Sequence, residues 1–195
     1  MIYLLFSTGL RRAELVGLNL DQLQPANPDR LRQAGRARLC GVHHQARTRR
    51  AGGAGRTARP GRIVFLGRDT RHALADYLQT ERPGDATAST QPAAIFLAAS
   101  TIGSRRPDGR LSARAINTIV GELARLHDAQ TTDPDHKLGH LRPHDARHTF
   151  AFTLARATGH DRAELKRRLG PASKRYLRLY TGPPDDNAAD YVEDL

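Results

Sequence analysis

The chain has 195 residues, enough for one domain with a useful core and a short tail. Its 31 Lys and Arg against 20 Asp and Glu give a net charge of +11, which points to a polyanion partner: nucleic acid first, an acidic membrane surface or acidic protein second. The single cysteine, Cys40, excludes an intrachain disulfide and a cysteine zinc cluster, and no segment approaches the ~18 apolar residues of a membrane span, so a cytoplasmic protein is expected.

Aromatics are scarce and Trp is absent, so Leu, Ala, Val and Ile must form the core. Only Lys137, Lys166 and Lys174 are lysines, a skew that suits GC-rich coding, so charge alone does not decide the partner. Residues 1–6 are apolar, Gly9 interrupts them, and Arg11–Leu20 reads as a helix with Leu15, Leu18 and Ala13 inward. Pro25, Pro28 and Gly35 mark residues 25–35 as a loop, and Arg36–Val42 alternates as a strand. Gln45–Gly61, rich in Arg, Gly and Ala, reads as a loop or hairpin tip, and Arg62–Leu66 is the best strand of the chain. Asp69 can cap a helix to about Glu81, with Leu74, Tyr77 and Leu78 on one face. Residues 83–92 form a Pro/Thr/Ser loop, and Ala94–Ala98 is apolar but open between strand and short helix.

Ser112 caps a helix whose Ala115, Ile116, Ile119, Val120, Leu123 and Leu126 follow helical spacing. A polar loop, 128–143, ends at Pro143. Helices are expected over His144–Thr158, Asp161–Leu169 and Ser173–Thr181, with Gly170-Pro171 and Gly182-Pro183-Pro184 as breaks. From residue 182 the charge inverts: Asp185, Asp186, Asp190, Glu193 and Asp194 meet no basic residue there. The sum is an α+β chain, mainly helical, with a small sheet from the first third.

The chemistry centres on residues 141–150, Leu-Arg-Pro-His-Asp-Ala-Arg-His-Thr-Phe. His144 and Arg147 are three apart at a helix start, so they share a face near the positive end of the helix dipole, where a phosphate can sit. On spacing alone, a helix-capping histidine and a solvated arginine are the ordinary explanation of such a pair.

The wider pattern resembles the tyrosine recombinase (phage integrase) family, Xer-like. Residues 141–150 are similar to that family's second box, Leu-x-Pro-His-x-Leu-Arg-His-Thr-Phe, departing only at Ala146. Residues 8–15, Thr-Gly-Leu-Arg-Arg-Ala-Glu-Leu, resemble its first box, and 169–181 its nucleophile segment with the closing Tyr-Thr. The resemblance implies the family's catalytic-domain fold over 1–181, with the small antiparallel sheet at one edge, followed by the acidic tail 182–195. It implies Arg11, His144, Arg147 and the nucleophile Tyr180 as catalytic residues, with Glu14 supporting. Arg12, Arg56, Arg59, Arg62, Arg142 and His148 are the basic residues expected on DNA.

The implied activity is site-specific recombination of double-stranded DNA. Tyrosine attacks a phosphodiester, forms a 3′-phosphotyrosyl link and releases a 5′-hydroxyl that later attacks a partner strand. The link retains the bond energy, so neither metal nor cofactor is expected. Two guanidiniums clamp the phosphoryl oxygens, and His144 holds an oxygen or helps move the tyrosine proton. The expected assembly is a homo-oligomer, a tetramer on DNA.

Three departures stand beside the match. The family's hairpin lysine, the acid for the leaving oxygen, is replaced: residues 56–66 read Arg-Thr-Ala-Arg-Pro-Gly-Arg-Ile-Val-Phe-Leu, putting Arg56 at that position, with Arg59 and Arg50 as alternatives. Arginine holds its proton far above neutral pH and is a poor acid. Pro171 stands where the family has His or Trp after Leu-Gly. Met1 falls just before the first box, so the family's N-terminal DNA-clamping domain is expected to be absent. These departures support a second reading, a catalytically impaired remnant that only binds DNA. The acidic tail is read either as a segment docking on a neighbouring subunit or as a solvated end.

Overall fold

A computed structural model of the chain describes residues 1–42, 61–86, 93–101, 106–170 and 174–181, the side chains of 174–176 excepted. The apolar start is a helix, α1 (Ile2–Thr8), which ends on Gly9 in the left-handed conformation (φ 60°). The single helix expected over Arg11–Leu20 is shorter: α2 runs Arg12–Val16, and the chain turns at Gly17 into a 3-10 turn at Leu20–Gln22. Asn19 opens that turn, its amide donating to the Gln22 side chain at 2.8 Å. Leu15 and Leu18 are buried as expected, whereas Ala13 is only partly so.

A two-residue strand, β1 (Leu23–Gln24), precedes a helix where a loop was expected, α3 (Pro28–Gln33). Asn27 caps α3 by accepting from the Arg30 amide at 3.0 Å, and Pro28 occupies the first turn, where its missing N–H costs nothing. Strands β2 (Ala37–Val42) and β3 (Arg62–Leu66) complete an antiparallel sheet of order β1-β2-β3, with Leu39 opposite Val64. Leu39 and Val64 face the core, whereas Ile63 and Phe65 face outward. The expected Arg/Gly-rich hairpin tip, with Arg50, Arg56 and Arg59, lies outside the described residues, as do Pro171 and the tail.

Helix α4 (Arg68–Gln79) starts after Gly67, so Asp69 sits in its first turn rather than at its cap. The loop expected from residue 83 begins with a short helix, α5 (Arg82–Asp85). Residues 94–98 are neither strand nor helix. They are buried, held by isolated bridges Asn19–Ala94 and Leu97–Arg110.

Ser112 does cap α6 (Ala113–Gln130), accepting from the Ala115 amide at 3.0 Å. Only Ile116, Val120 and Ala124 of that helix are buried; Ile119, Leu123 and Leu126 are about 40–50% exposed, so half of the expected apolar face points outward. The polar loop that follows holds one 3-10 turn at Pro134–His136.

Helices α7 (Pro143–Ala157), α8 (Arg162–Leu169) and α9 (Lys174–Thr181) complete the fold. α7 joins two cores: Ala146 lies in the large cluster with α1, α6 and the sheet, while Ala151 and Ala155 join Leu165, Leu169, Leu177 and Tyr180 in a second. Small alanines on α7 let its neighbours approach closely, which brings three sequence-distant segments to one end of that helix. No helix among the described residues is long and apolar enough to cross a membrane.

Candidate active site

The three motif segments meet around one backbone carbonyl. Leu169 ends α8, so its C=O has no partner within the helix. Arg147 donates to it through Nη2 at 2.8 Å, and Arg62 through Nη1 at 2.9 Å. The other Nη of Arg147 donates to the carbonyl of Gly9. Gly9 must be glycine on two counts: its φ is positive, and an added Cβ would collide with the Phe150 ring on α7.

Behind this node lies Glu14, whose carboxylate has no exposure. It accepts from the Arg11 amide at 2.7 Å and from the two Nη atoms of Arg62 at 3.2 and 3.0 Å. It also pairs with the Arg11 guanidinium at 3.4 Å. Burial lowers the pKa of Arg62, and the nearby Glu14 carboxylate draws it back up. One buried carboxylate thus fixes an arginine from the first motif and one from β3, while two carbonyls fix Arg147, which is 1% exposed.

In front of the node is a cleft of about 630 Å³, between the start of α2, the face of α6 and the start of α7. Arg11, Arg12, Arg142, Arg147, His140 and His144 line it, and among the described residues no carboxylate does. Arg12 bridges to α6 through Asn117 at 3.0 Å. Four guanidiniums converge here, from the starts of α2 and α7, an arrangement with the charge and geometry to hold a phosphate. Desolvation, then the neighbouring His148 and Arg147, hold the His144 pKa below its ordinary 6.5. As pH falls, the unfolded chain therefore takes up this proton before the folded one does. Folding stability declines from the ordinary imidazole value down to the folded pKa, where the loss ends. His144→Gln should flatten the decline in unfolding midpoint between about pH 7 and pH 5, measured by urea melts at stepped pH.

Tyr180 lies beside this cleft rather than in it. It is 2% exposed and packed edge-on against Phe152, with ring centroids 4.8 Å apart. Its hydroxyl is hydrogen-bonded to Nδ1 of His148, whose ring stands 4.4 Å, edge to face, from that of His144. The rings of Tyr180, His148 and His144 form a row that ends in the cleft wall.

A family model described as the phage integrase family matches residues 1–185. The chain belongs to the phage integrase family. Among curated relatives, it is 29% identical over 181 residues to tyrosine recombinase XerC of Stutzerimonas stutzeri (strain A1501) and to tyrosine recombinase XerD of Mycobacterium tuberculosis (strain H37Rv). Each alignment covers 93% of this chain and 46% of the relative, so the chain spans about half the length of these proteins. The fold matches a Tn1549 transposon integrase in complex with transposon right end DNA, at TM-score 0.67 and 22% identity, over 100% of this chain and 57% of that one. It also matches XerA recombinase, at TM-score 0.59 and 20% identity, over 98% of this chain and 55% of that one.

Within this phage integrase fold, Arg11, Arg12, Arg142, His144 and Arg147 share one cleft. Glu14 supports from behind. Arg62, expected on DNA, turns inward to Glu14 and Leu169, and its side chain is 12% exposed. His148, also expected on DNA, instead meets the nucleophile candidate. The i, i+4 spacing of His144, His148 and Phe152 on one helix face was the available signal for that contact. His140 and Asn117 in the cleft were missed, because polar residues in a loop and on a solvated helix face carry no pattern.

Proposed function

We propose that this chain, with residues 1–181 as the catalytic unit and 182–195 as an acidic tail, performs site-specific cleavage and rejoining of double-stranded DNA through a 3′-phosphotyrosyl link on Tyr180. The observation that carries the reading is the row Tyr180–His148–His144 running into a cleft lined by four arginines and, among the described residues, by no carboxylate. The recombinases similar to this chain, including an integrase in complex with DNA, support it.

In this reading the cleft receives the scissile phosphate. Arg11 and Arg147 neutralise the charge that builds on the five-coordinate phosphorus, Arg147 pre-aimed by its two carbonyl anchors. The Tyr180 oxygen forms a bond to phosphorus and passes its proton to His148, and the bond from phosphorus to the 5′-oxygen breaks. The bound phosphate raises the pKa of His144, and its imidazolium gives a proton to the leaving oxygen. That acid is needed because position 56 is an arginine. The Tyr180 side chain must turn out of its buried seat to reach phosphorus, while α9 itself stays in place. A homo-tetramer on two duplexes is the assembly that exchanges strands.

Nicked suicide duplexes carrying the DNA that flanks the gene provide the test. A covalent protein–DNA band on denaturing gels is expected. Salt-sensitive binding in shift assays with no band on any duplex would instead establish the binding-only reading, which Pro171 and Arg56 favour.

A further inference from the structure

The turn between α7 and α8 carries a feature that the reaction above does not use. Gly159 and His160 are both left-handed, with φ of 58° and 60°. His160 is the only non-glycine residue with positive φ among the described residues. A left-handed Cβ-bearing residue is disfavoured unless its surroundings hold it. Both ends of the turn do so: the His160 amide donates to the Ala155 carbonyl at 2.7 Å, and Asp161 caps α8 through the Ala163 amide at 2.7 Å. The result is an imidazole directed from the turn onto α9, with Nδ1 2.7 Å from the backbone carbonyl of Tyr180.

A carbonyl is only an acceptor, so the bonded His160 tautomer carries its proton on Nδ1. Tyr180 sits in the last turn of α9, where carbonyls lack helical partners. His160 therefore acts as a side-chain cap supplied from another helix pair, on the residue that bears the nucleophilic hydroxyl. Tyr180 is gripped at two points by two histidines: His148 at the phenol and His160 at the main chain.

We infer that His160 is a positioning residue for the nucleophile helix, clasping α9 to the α7–α8 turn so that Tyr180 is presented in one register. This rests on Tyr180 as the nucleophile, but the clasp itself is measurable without DNA. Two substitutions separate the clasp from the fold. His160→Gly removes the donor while suiting the left-handed backbone, so the turn is relieved rather than broken. His160→Asn keeps a donor at the same distance from the backbone and tolerates the left-handed region.

Hydrogen exchange of the full chain, followed by mass spectrometry, reads the amides of α9. In His160→Gly they should exchange about tenfold faster, with α7 and α8 protection and the melting temperature retained. His160→Asn should return α9 to within roughly threefold of the parent. On nicked duplexes the glycine variant should form the covalent link about tenfold more slowly at unchanged DNA affinity, with rescue by asparagine. Parent-like α9 exchange in the glycine variant overturns the clasp, as does an asparagine variant no better than glycine. If the parent forms no covalent link at all, the nucleophile reading fails, and the exchange data still decide the clasp.

Discussion

Glu14→Ala is expected to lower the unfolding free energy by about 3–5 kcal/mol, a fall in melting temperature of roughly 10 °C. The carboxylate is fully buried and is held by Arg11 and Arg62 together. Removing it does not merely delete an ion pair. It leaves the Arg62 guanidinium, whose side chain is 12% exposed, without its counter-charge and near that of Arg11. An uncompensated buried charge costs far more than the net value of the pair. The α2 start weakens as well, since Glu14 accepts the Arg11 amide that no helical partner satisfies. The double variant Glu14→Ala/Arg62→Met should regain more than half of the loss, because the orphaned charge is gone while the hydrocarbon stem remains. Thermal melts of the two variants check this. A single variant that melts with the parent removes Glu14 from its place at the centre of the site.

Arg147→Lys is expected to slow formation of the covalent link by about 10²–10³-fold, with little change in DNA affinity. Charge is preserved, so binding driven by phosphate contacts persists. What is lost is the fork. One Nη of Arg147 is anchored on Gly9 and the other on Leu169, so the planar group has one orientation towards the cleft it lines. A lysine ammonium on a flexible stem cannot hold both carbonyls and still present a donor to phosphorus-bound oxygen. Single-turnover rates on a nicked duplex, set beside shift assays, separate the two effects. A rate within a few-fold of the parent would mean that Arg147 serves the fold alone.

Much of this arrangement was legible in the sequence, for identifiable reasons. α6, α7 and α8 announce themselves through Ser112, Pro143 and Asp161, whose side chains or ring geometry suit helix starts. The resemblance of residues 8–15 and 141–150 to the family's boxes singles out Arg11, Glu14, His144 and Arg147, which the fold then brings together around α2 and the start of α7. α3 was hidden because Pro28 reads as a breaker when it is an initiator, the difference lying in Asn27 before it. The outward turn of Ile119, Leu123 and Leu126 was hidden because apolar spacing gives a face but not its neighbour. Least legible were the contacts that organise the site. The Leu169, Gly9 and Tyr180 carbonyls that receive Arg62, Arg147 and His160 belong to the backbone, which every sequence shares. For the same reason Arg62 was expected on DNA, when its partners lie inside the protein.

The proposed reaction stands on Tyr180 as the nucleophile whose phenolic oxygen is joined covalently to DNA. The most direct measurement is to trap the protein on a nicked suicide duplex, digest both components, and locate the nucleotide remnant by mass spectrometry. A single phosphonucleotide adduct is expected on the peptide containing Tyr180, on its phenolic oxygen, and none in Tyr180→Phe. An adduct on Tyr176 or Tyr191, or one that persists in Tyr180→Phe, would contradict it.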